Sequence, residues 1–540
     1  MRASIRITIL AVALFAASVC TARPPRLVVN IVVSSMRADD LDRYRAGFGE
    51  GGFRRLAGGT RYTGAAYDFM QTTTPVSLAT LATGAQPSTH GVVGEVWYDY
   101  VDNRRVELLT DRTVSGFGYA NSYDGRYSPV NMLAPTTGDA LAAAWPESRV
   151  ATVALEAVSA VVTGGGRGAA YWMEPSRAMW SSSTYYMLSL PEWVEEYNRE
   201  LPRNYALSAG AWTLHRAAET YVNRRAADIV LPRSKKGSQP AIKTIGISAA
   251  VEPESAYDRL RYSPAGNDAV LGFARRVLSE YSLGSDDVPD MLNIVLDAPR
   301  FIAESYGPES LEMEDMYYRL DDALADFLNY LFAKVRTEEV LVVLTSDHGT
   351  SPSYDAAPTP TERVNMMQSE VIVNGFLNAR HGQGDWVTAV GERSIWLNRN
   401  LIFSRGMNLG EVQEEVASFV MQFRGISHAL SSSALRSSYF AEGYGRKMQN
   451  GFYPRRSGDV IFNLMPGRTE ERDDRRSESG SMYGYDTRVP LLFYGWRVPA
   501  RTVAEPVDMT SVAATEASVL EIAPPAACEG HVLRDVTGKH

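Results

Sequence analysis

Five stretches of the chain are apolar at nearly every position: residues 27–34, 150–155, 292–296, 340–344 and 489–494. They lack the in–out alternation of a strand with one wet face and are rich in Val, Ile and Leu. Each therefore predicts a strand buried on both sides, as in a parallel sheet covered by helices above and below. Helical periodicity lies between them. Over 313–334, Met316, Leu320, Leu324, Phe327 and Leu331 recur at three- and four-residue spacing, which predicts a long helix with one buried stripe. A shorter helix is predicted over about 75–82, ahead of Gly84. Strands alternating with helices predict an α/β/α sandwich around a mainly parallel sheet. Long inserts interrupt it at about 101–147, 171–289 and 353–465, the first two rich in Tyr, Trp and Ser. The mixed-charge stretch 467–481, GRTEERDDRRSESGS, reads as a solvated loop, and 232–240, PRSKKGSQP, as a surface turn.

The first residues have a different character. Arg2 and Arg6 precede an apolar run, 7–19, and then small residues. This predicts a secretory leader over 1–22, cleaved after Ala22, with 23–540 as the mature domain in the periplasm or outside the cell. The run is too short to span a bilayer. The alternative is an outer-membrane lipoprotein anchored through Cys20, which Val19 just before it disfavours. No later segment reads as transmembrane.

Composition narrows the chemistry. With 540 residues, 45% hydrophobic and 22% charged, the chain has ample material for a large core. A net charge of −9 disfavours a nucleic-acid partner. Cys20 and Cys528 are the only cysteines, so a thiolate zinc site is excluded and any metal needs His and carboxylates.

In open α/β sheets ligands bind beyond the carboxyl ends of the strands. After the fourth apolar run comes Thr345-Ser346-Asp347-His348-Gly349. Asp347 and His348 there are good zinc ligands; alternatively Asp347 caps the amides of a turn. Thr72-Thr73-Thr74-Pro75 opens a predicted helix. Thr74 before Pro75 is a good N-cap, and a hydroxyl at a helix N-terminus also sits in positive potential that favours its alkoxide and attracts phosphate. Gly164-Gly165-Gly166-Arg167-Gly168 lacks the following Lys-Ser/Thr of a P-loop and predicts a turn. His90 reads as a packed turn residue, and His215, His381, His428, His531 and His540 show no ligand spacing.

Six stretches occur in order: LVVNIVVSSMRADDLDRY, GGFRRLAGGTRY, TTTPVSLATLATGAQPSTHGVVGEVWYDY, YGPESLEMEDMYYRLDDALADFL, LTSDHGT and YDTRVPLLFYGW. Together, from about Leu27 to Trp496, they resemble the alkaline phosphatase superfamily, particularly its exported, phosphate-irrepressible bacterial branch with a Thr nucleophile. The resemblance implies an α/β/α core and a two-zinc phosphomonoesterase ancestor. It places Thr74 at the nucleophile and Asp347 and His348 at the family's Asp-His ligand pair. Elsewhere the pattern is broken. The resemblance puts Ser34 where the first strand ends in a metal-binding Asp. Arg300 and Glu304 stand at the Asp-x-x-x-His pair, Arg488 at the final His, Glu95 at the phosphate-contacting Asn, and Glu156 and Val158 at the Lys-x-Arg pair. Ser34, Arg300, Glu304 and Arg488 are thus lost ligand positions, with Glu304 a candidate substitute donor.

A guanidinium is always protonated and cannot donate a lone pair to a metal. One placed about 4 Å from a divalent cation costs roughly 8 kcal/mol at an effective dielectric of about 20. The expectation is that Arg300 and Arg488 fill the metal holes and pair with Asp347 and Glu304, a set that sums to zero charge. Thr74 has no His or Lys beside it in sequence, and Glu95 and Glu156 would repel a phosphate. The favoured reading is a catalytically impaired homologue with Thr74 as a vestigial nucleophile. It would bind a phosphate- or sulfate-ester ligand through Arg300, Arg488 and Glu95, or a partner, with no cofactor or at most one zinc. One alternative is an active metal-dependent phosphomonoesterase or phosphodiesterase with a reduced site, recruiting Asp39, Asp40 or Asp297. Another is a cell-surface scaffold whose inserts bind protein or glycan.

Overall fold

The computed structural model describes residues 23–121, 123–208, 212–223, 256–355, 363–472 and 475–537. The leader with Cys20, the turn at 232–240 and His540 lie outside the described residues. The strands are β1 (Leu27–Val33), β2 (Thr60–Ala66), β3 (Val96–Asp99), β4 (Arg104–Glu107), β5 (Val150–Ala154), β6 (Ala169–Glu174), β7 (Met179–Ser181) and β8 (Asp290–Leu296). They continue with β9 (Val340–Thr345), β10 (Val387–Gly391), β11 (Ser394–Leu397), β12 (Ile426–Ser431), β13 (Val460–Leu464), β14 (Leu491–Gly495) and β15 (Arg501–Asp508).

Nine of these form one sheet in the order β15-β2-β14-β9-β1-β8-β5-β6-β7. β1 lies at its middle, parallel to β8 and β9. β5 and β6 extend the parallel run on one side. β14 runs antiparallel between β9 and β2, and β7 closes the far edge antiparallel to β6. All five predicted runs are in this sheet, which is mainly parallel, as the sequence pattern implied. β1 shows why the runs are so apolar. Leu27, Val29, Ile31 and Val33 enter one core layer while Val28 and Val32 enter the other, so neither face meets water. Asn30 interrupts the run because it has partners in register. It donates to the Asn293 side chain at 2.9 Å, and Asn293 donates to the Thr152 hydroxyl at 3.1 Å, a polar ladder across three strands.

The helix Leu311–Lys334 starts at Ser310, whose hydroxyl accepts from the Met313 amide. Its five predicted stripe residues are all buried. Leu324 is fully buried there, so Leu324→Ala is expected to cost about 2–5 kcal/mol in denaturant unfolding; a loss under about 1 kcal/mol would show that the stripe is not core.

The second insert is narrower than its composition suggested. β6 and β7 belong to the main sheet, and the helix Ala265–Glu280 packs on β5 and β8. The third insert builds its own layer, a sheet ordered β10-β11-β13-β12 with a core that includes Trp386, Ile395, Val416 and Phe462. Gly164 ends a helix and Ala169 starts β6, so the glycine-rich stretch is the turn expected. Among the described residues no helix is long and apolar enough to cross a membrane.

Candidate functional site

The carboxyl ends of β1, β8 and β9 deliver Ser34, Asp297 and Asp347 to one edge of the sheet. Asp347 is fully buried. Its Oδ2 accepts from the Ser34 hydroxyl at 2.7 Å, and its Oδ1 accepts from the amides of Ser35 at 3.1 Å and His348 at 2.8 Å. Asp347 thus caps backbone amides and also faces the site. Ser34, expected from the resemblance at a lost ligand position, supplies a hydrogen bond to Asp347.

His348 is held by its Nδ1, 2.6 Å from the Gly349 carbonyl. A carbonyl only accepts, so Nδ1 carries the proton and Nε2 presents a lone pair. Nε2 lies 3.1 Å from the Thr74 hydroxyl and 3.3 Å from Asp347 Oδ2. Thr74 is the first residue of the helix Thr74–Thr83; Thr73 occupies the N-cap, and its hydroxyl has no partner. The N-cap expected at Thr74 therefore sits one residue earlier, which leaves the Thr74 hydroxyl free to donate to His348. The fold also supplies the imidazole that is missing from the neighbourhood of Thr74 in sequence, from 274 positions away.

Beside Thr74 opens a cavity of about 260 Å³. Arg300 and Glu304 line it, 3.8 Å apart. Burial opposes the charge of Arg300, but Glu304, Glu156, Asp297 and Glu95 outweigh it and hold its pKa up. Its buried Nε has no hydrogen-bond partner. From the stretch expected as a solvated loop, Glu470, Arg472, Arg475 and Glu478 line this cavity, because their charges find opposite partners there. Arg475 reaches Glu304 at 3.4 Å, and the Arg476 amide donates to the Glu304 carbonyl at 2.6 Å. Arg472 pairs with Glu470 at 3.2 Å. Arg393, from the β10–β11 turn, pairs with Glu478 and, at 3.3 Å, with Glu470.

Arg488 does not join them. It is exposed and donates to the Thr63 carbonyl at 3.2 Å. The expected Arg488–Asp347 pairing fails because serine hydroxyls and backbone amides already satisfy Asp347. Of the two arginines, only Arg300 reaches the site. Glu156 is also turned aside: it accepts from the Tyr257 hydroxyl and pairs with Arg261 at 3.7 Å. Val158 is core. The carboxylates considered as recruited ligands are engaged elsewhere. Asp297 accepts from the Leu155 amide at 2.9 Å, the Glu156 amide at 3.0 Å and the Ser159 hydroxyl at 2.5 Å. Asp40 accepts from the Arg37 amide and the Tyr317 hydroxyl, both at 2.9 Å, and Asp39 is exposed. His90 is a buried partner of Thr80 at 3.0 Å, and burial pushes its pKa down to about 3.

Sequence reasoning missed Gln71, Glu392 and Arg393. Glu392 and Arg393 form the two-residue tip of the β10–β11 hairpin with φ of 48° and 55°. Such turns favour Asn-Gly, so Glu-Arg carries no hairpin signal. Gln71 (φ 67°) bonds the Glu392 carbonyl through its side chain, and Ser35 (φ 63°) contacts Asp347. Three non-glycine residues lining the cavity, Gln71, Glu392 and Arg393, thus hold left-handed backbone, a conformation that costs energy at each.

The family's two zinc ions can be tested against these donors. His348 Nε2 lies 3.1 Å from Thr74 Oγ1 and 3.3 Å from Asp347 Oδ2, both close to the ligand–ligand edge of a tetrahedral zinc site, about 3.3 Å. They fit one cation at most, with a hydroxyl as third protein donor. The second position does not fit: Arg300 and Arg475 both lie against Glu304, its one candidate donor. Among the described residues no three His, Cys, Asp or Glu side chains are grouped to hold a metal.

Residues 28–402 match the family model for type I phosphodiesterase / nucleotide pyrophosphatase. The chain is 29% identical over 523 residues to the alkaline phosphatase PafA of Elizabethkingia meningoseptica, covering 95% of each. It is 28% identical to the alkaline phosphatase PhoV of Synechococcus elongatus, covering 96% of this chain and 94% of that one. A crystal structure of wild-type alkaline phosphatase PafA matches the fold with a TM-score of 0.86 at 28% identity, over 96% of this chain and 99% of the other.

Proposed function

This chain belongs to the type I phosphodiesterase / nucleotide pyrophosphatase family within the alkaline phosphatase superfamily, and from that premise we propose that it binds a phosphate ester at the Thr74 cavity with two-metal catalysis impaired. The observation that carries this reading is the pair of guanidinium groups, Arg300 and Arg475, against Glu304. Their charge opposes a cation at the ground where the family holds its second metal, and it attracts the anion that such a metal would otherwise attract. The ester's phosphate sits between Thr74 at the helix N-terminus and Arg300, whose Nε is left without a partner. A single cation, if bound, is held by Asp347, His348 and Thr74, where its charge favours the ionised hydroxyl. The leader at 1–22 makes the periplasm or the cell exterior the place of action.

The second reading, a working phosphoesterase, draws on the 3.1 Å contact between Thr74 and His348, a hydroxyl beside a base. One experiment separates the two: zinc analysis of the purified chain with 4-nitrophenyl phosphate turnover, repeated on Thr74→Ala. The expected result is at most one zinc per chain and no turnover that depends on Thr74. Two zinc ions with Thr74-dependent turnover would establish the working enzyme. Titration with a phosphate ester separates both from a scaffold, which binds none.

A further inference from the structure

We propose that the layer between the centre of the main sheet and the helices on one of its faces contains a site for one monovalent cation of about the size of sodium, with Glu516 as its counter-charge. The site is separate from the Thr74 cavity. Its residue from β1, Asn30, lies four positions before Ser34, roughly 13 Å along the strand.

The helix Ser511–Val519 packs against the helices Thr74–Thr83 and Thr137–Ala144. Between these helices and β1, β8 and β9 lies a cavity of about 20 Å³, room for one water-sized occupant. Three oxygens of its lining residues are buried without a hydrogen-bond partner: Glu516 Oε1, Asn30 Oδ1 and Thr163 Oγ1. Glu516 is only 3% exposed and Thr163 7%, so neither turns to bulk water instead. Two more lining residues each bring an oxygen that keeps a lone pair. Asn293 Oδ1 accepts from Asn30 at 2.9 Å, and the Thr345 hydroxyl donates to the Pro490 carbonyl at 2.7 Å. The wall thus offers five oxygens in a layer that is otherwise apolar core.

Charge decides between occupants. Among the described residues Glu516 is the only titratable side chain that lines the cavity. Burial pushes its carboxyl up to about 8, opposed by a hydrogen bond from Asn30. A carboxyl at that depth holds a proton below this pH and needs a counter-ion above it. A water satisfies Glu516 Oε1 and Asn30 Oδ1 with its two hydrogens but leaves the charge uncompensated. A monovalent ion bonds both oxygens and neutralises the carboxylate. A divalent ion brings one charge too many, and it takes a fuller oxygen shell or keeps waters that this space cannot hold.

The test is urea unfolding of the full chain at pH 9 and pH 6, in sodium chloride and in N-methylglucammonium chloride at equal ionic strength, the organic cation being too large for the cavity. The folded form holds a proton on Glu516 that the unfolded form releases, so this group's contribution to stability falls as pH rises to about 8. Sodium is expected to recover it above that pH. At pH 9 each tenfold rise in sodium beyond its dissociation constant should lower the unfolding equilibrium constant about tenfold. At pH 6, where the proton occupies Glu516, the two salts should act alike. Glu516→Gln keeps the shape and removes the charge, and it is expected to abolish the sodium dependence at pH 9. Equal stability in the two salts at pH 9, measured on the parent chain alone, would overturn the proposal and leave a water or a proton as the occupant. A sodium dependence that survives Glu516→Gln would overturn it by placing the ion elsewhere.

Discussion

Replacing Arg393 with methionine is expected to destabilise the folded chain by about 3–5 kcal/mol, the usual loss when one member of a buried ion pair is removed. Arg393 and Glu478 have side chains only 9% and 11% exposed, and Arg393 also contacts Glu470. Without the guanidinium, Glu478 loses its ion-pair partner, while Glu470 keeps only Arg472. The contact also joins two distant parts of the chain, the β10–β11 tip and the 467–481 segment, so its loss frees both. The sign of the pH dependence follows. Burial already holds the Glu478 carboxyl above the usual carboxylate range, and in the variant, without Arg393 to oppose that, its folded-state pKa rises further above the unfolded value. The folded form then binds more protons than the unfolded form, and its deficit shrinks as pH falls through that raised value. Guanidinium unfolding at pH 8 and pH 5 is therefore expected to show the larger loss at pH 8. The double variant Arg393→Met/Glu478→Gln is expected to recover part of it. A loss below about 1 kcal/mol at pH 8 would mean that the pair is solvated and that the segment does not close the cavity.

The frame of the molecule was legible because its strands are buried on both faces. Apolar runs such as 340–344 have no other reading once helical stretches alternate with them, and the site edge follows from where those runs end. Asp347 and His348 were found for that reason, and Thr74 because it precedes Pro75 at a predicted helix start. What could not be read was any side chain whose place depends on tertiary closure. The stretch 467–481 has the composition of a solvated loop, and the complementary charges of Glu304 and Arg393 draw Arg475, Glu470 and Glu478 inward. Glu392 and Arg393 lie in an insert with no periodicity of the main sheet and in a turn whose residues disfavour it. Arg488 failed in the opposite way. Its position in the family pattern implied the pocket, but the pattern says which residue stands at a site, not where a long side chain points. Asp347 was already saturated by Ser34 and two amides, so nothing held Arg488 inward.

The same geometry makes a stringent demand on any attempt to rebuild the metal centre. Restoring the ligands that the resemblance implies, by Ser34→Asp, Arg300→Asp, Glu304→His and Arg488→His, leaves Arg475 still reaching position 304, where it contacts Glu304 at 3.4 Å now. A guanidinium that close to a divalent cation repels it strongly at any plausible interior dielectric. The four-substitution chain is therefore expected to hold about one zinc, and the chain with Arg475→Ala added about two, with aryl-phosphate turnover rising on the order of 10³-fold over the parent. Stability gives a readout independent of turnover. Asp introduced at position 34 faces Asp347 across the gap now spanned by a 2.7 Å hydrogen bond, and two carboxylates at that distance repel unless a cation lies between them. The five-substitution chain should therefore lose thermal stability on chelation and regain it with zinc, whereas the parent should respond little. If the four-substitution chain binds two zinc ions with Arg475 intact, Arg475 is not the obstacle, and the claim that arginines hold the second metal's ground is wrong.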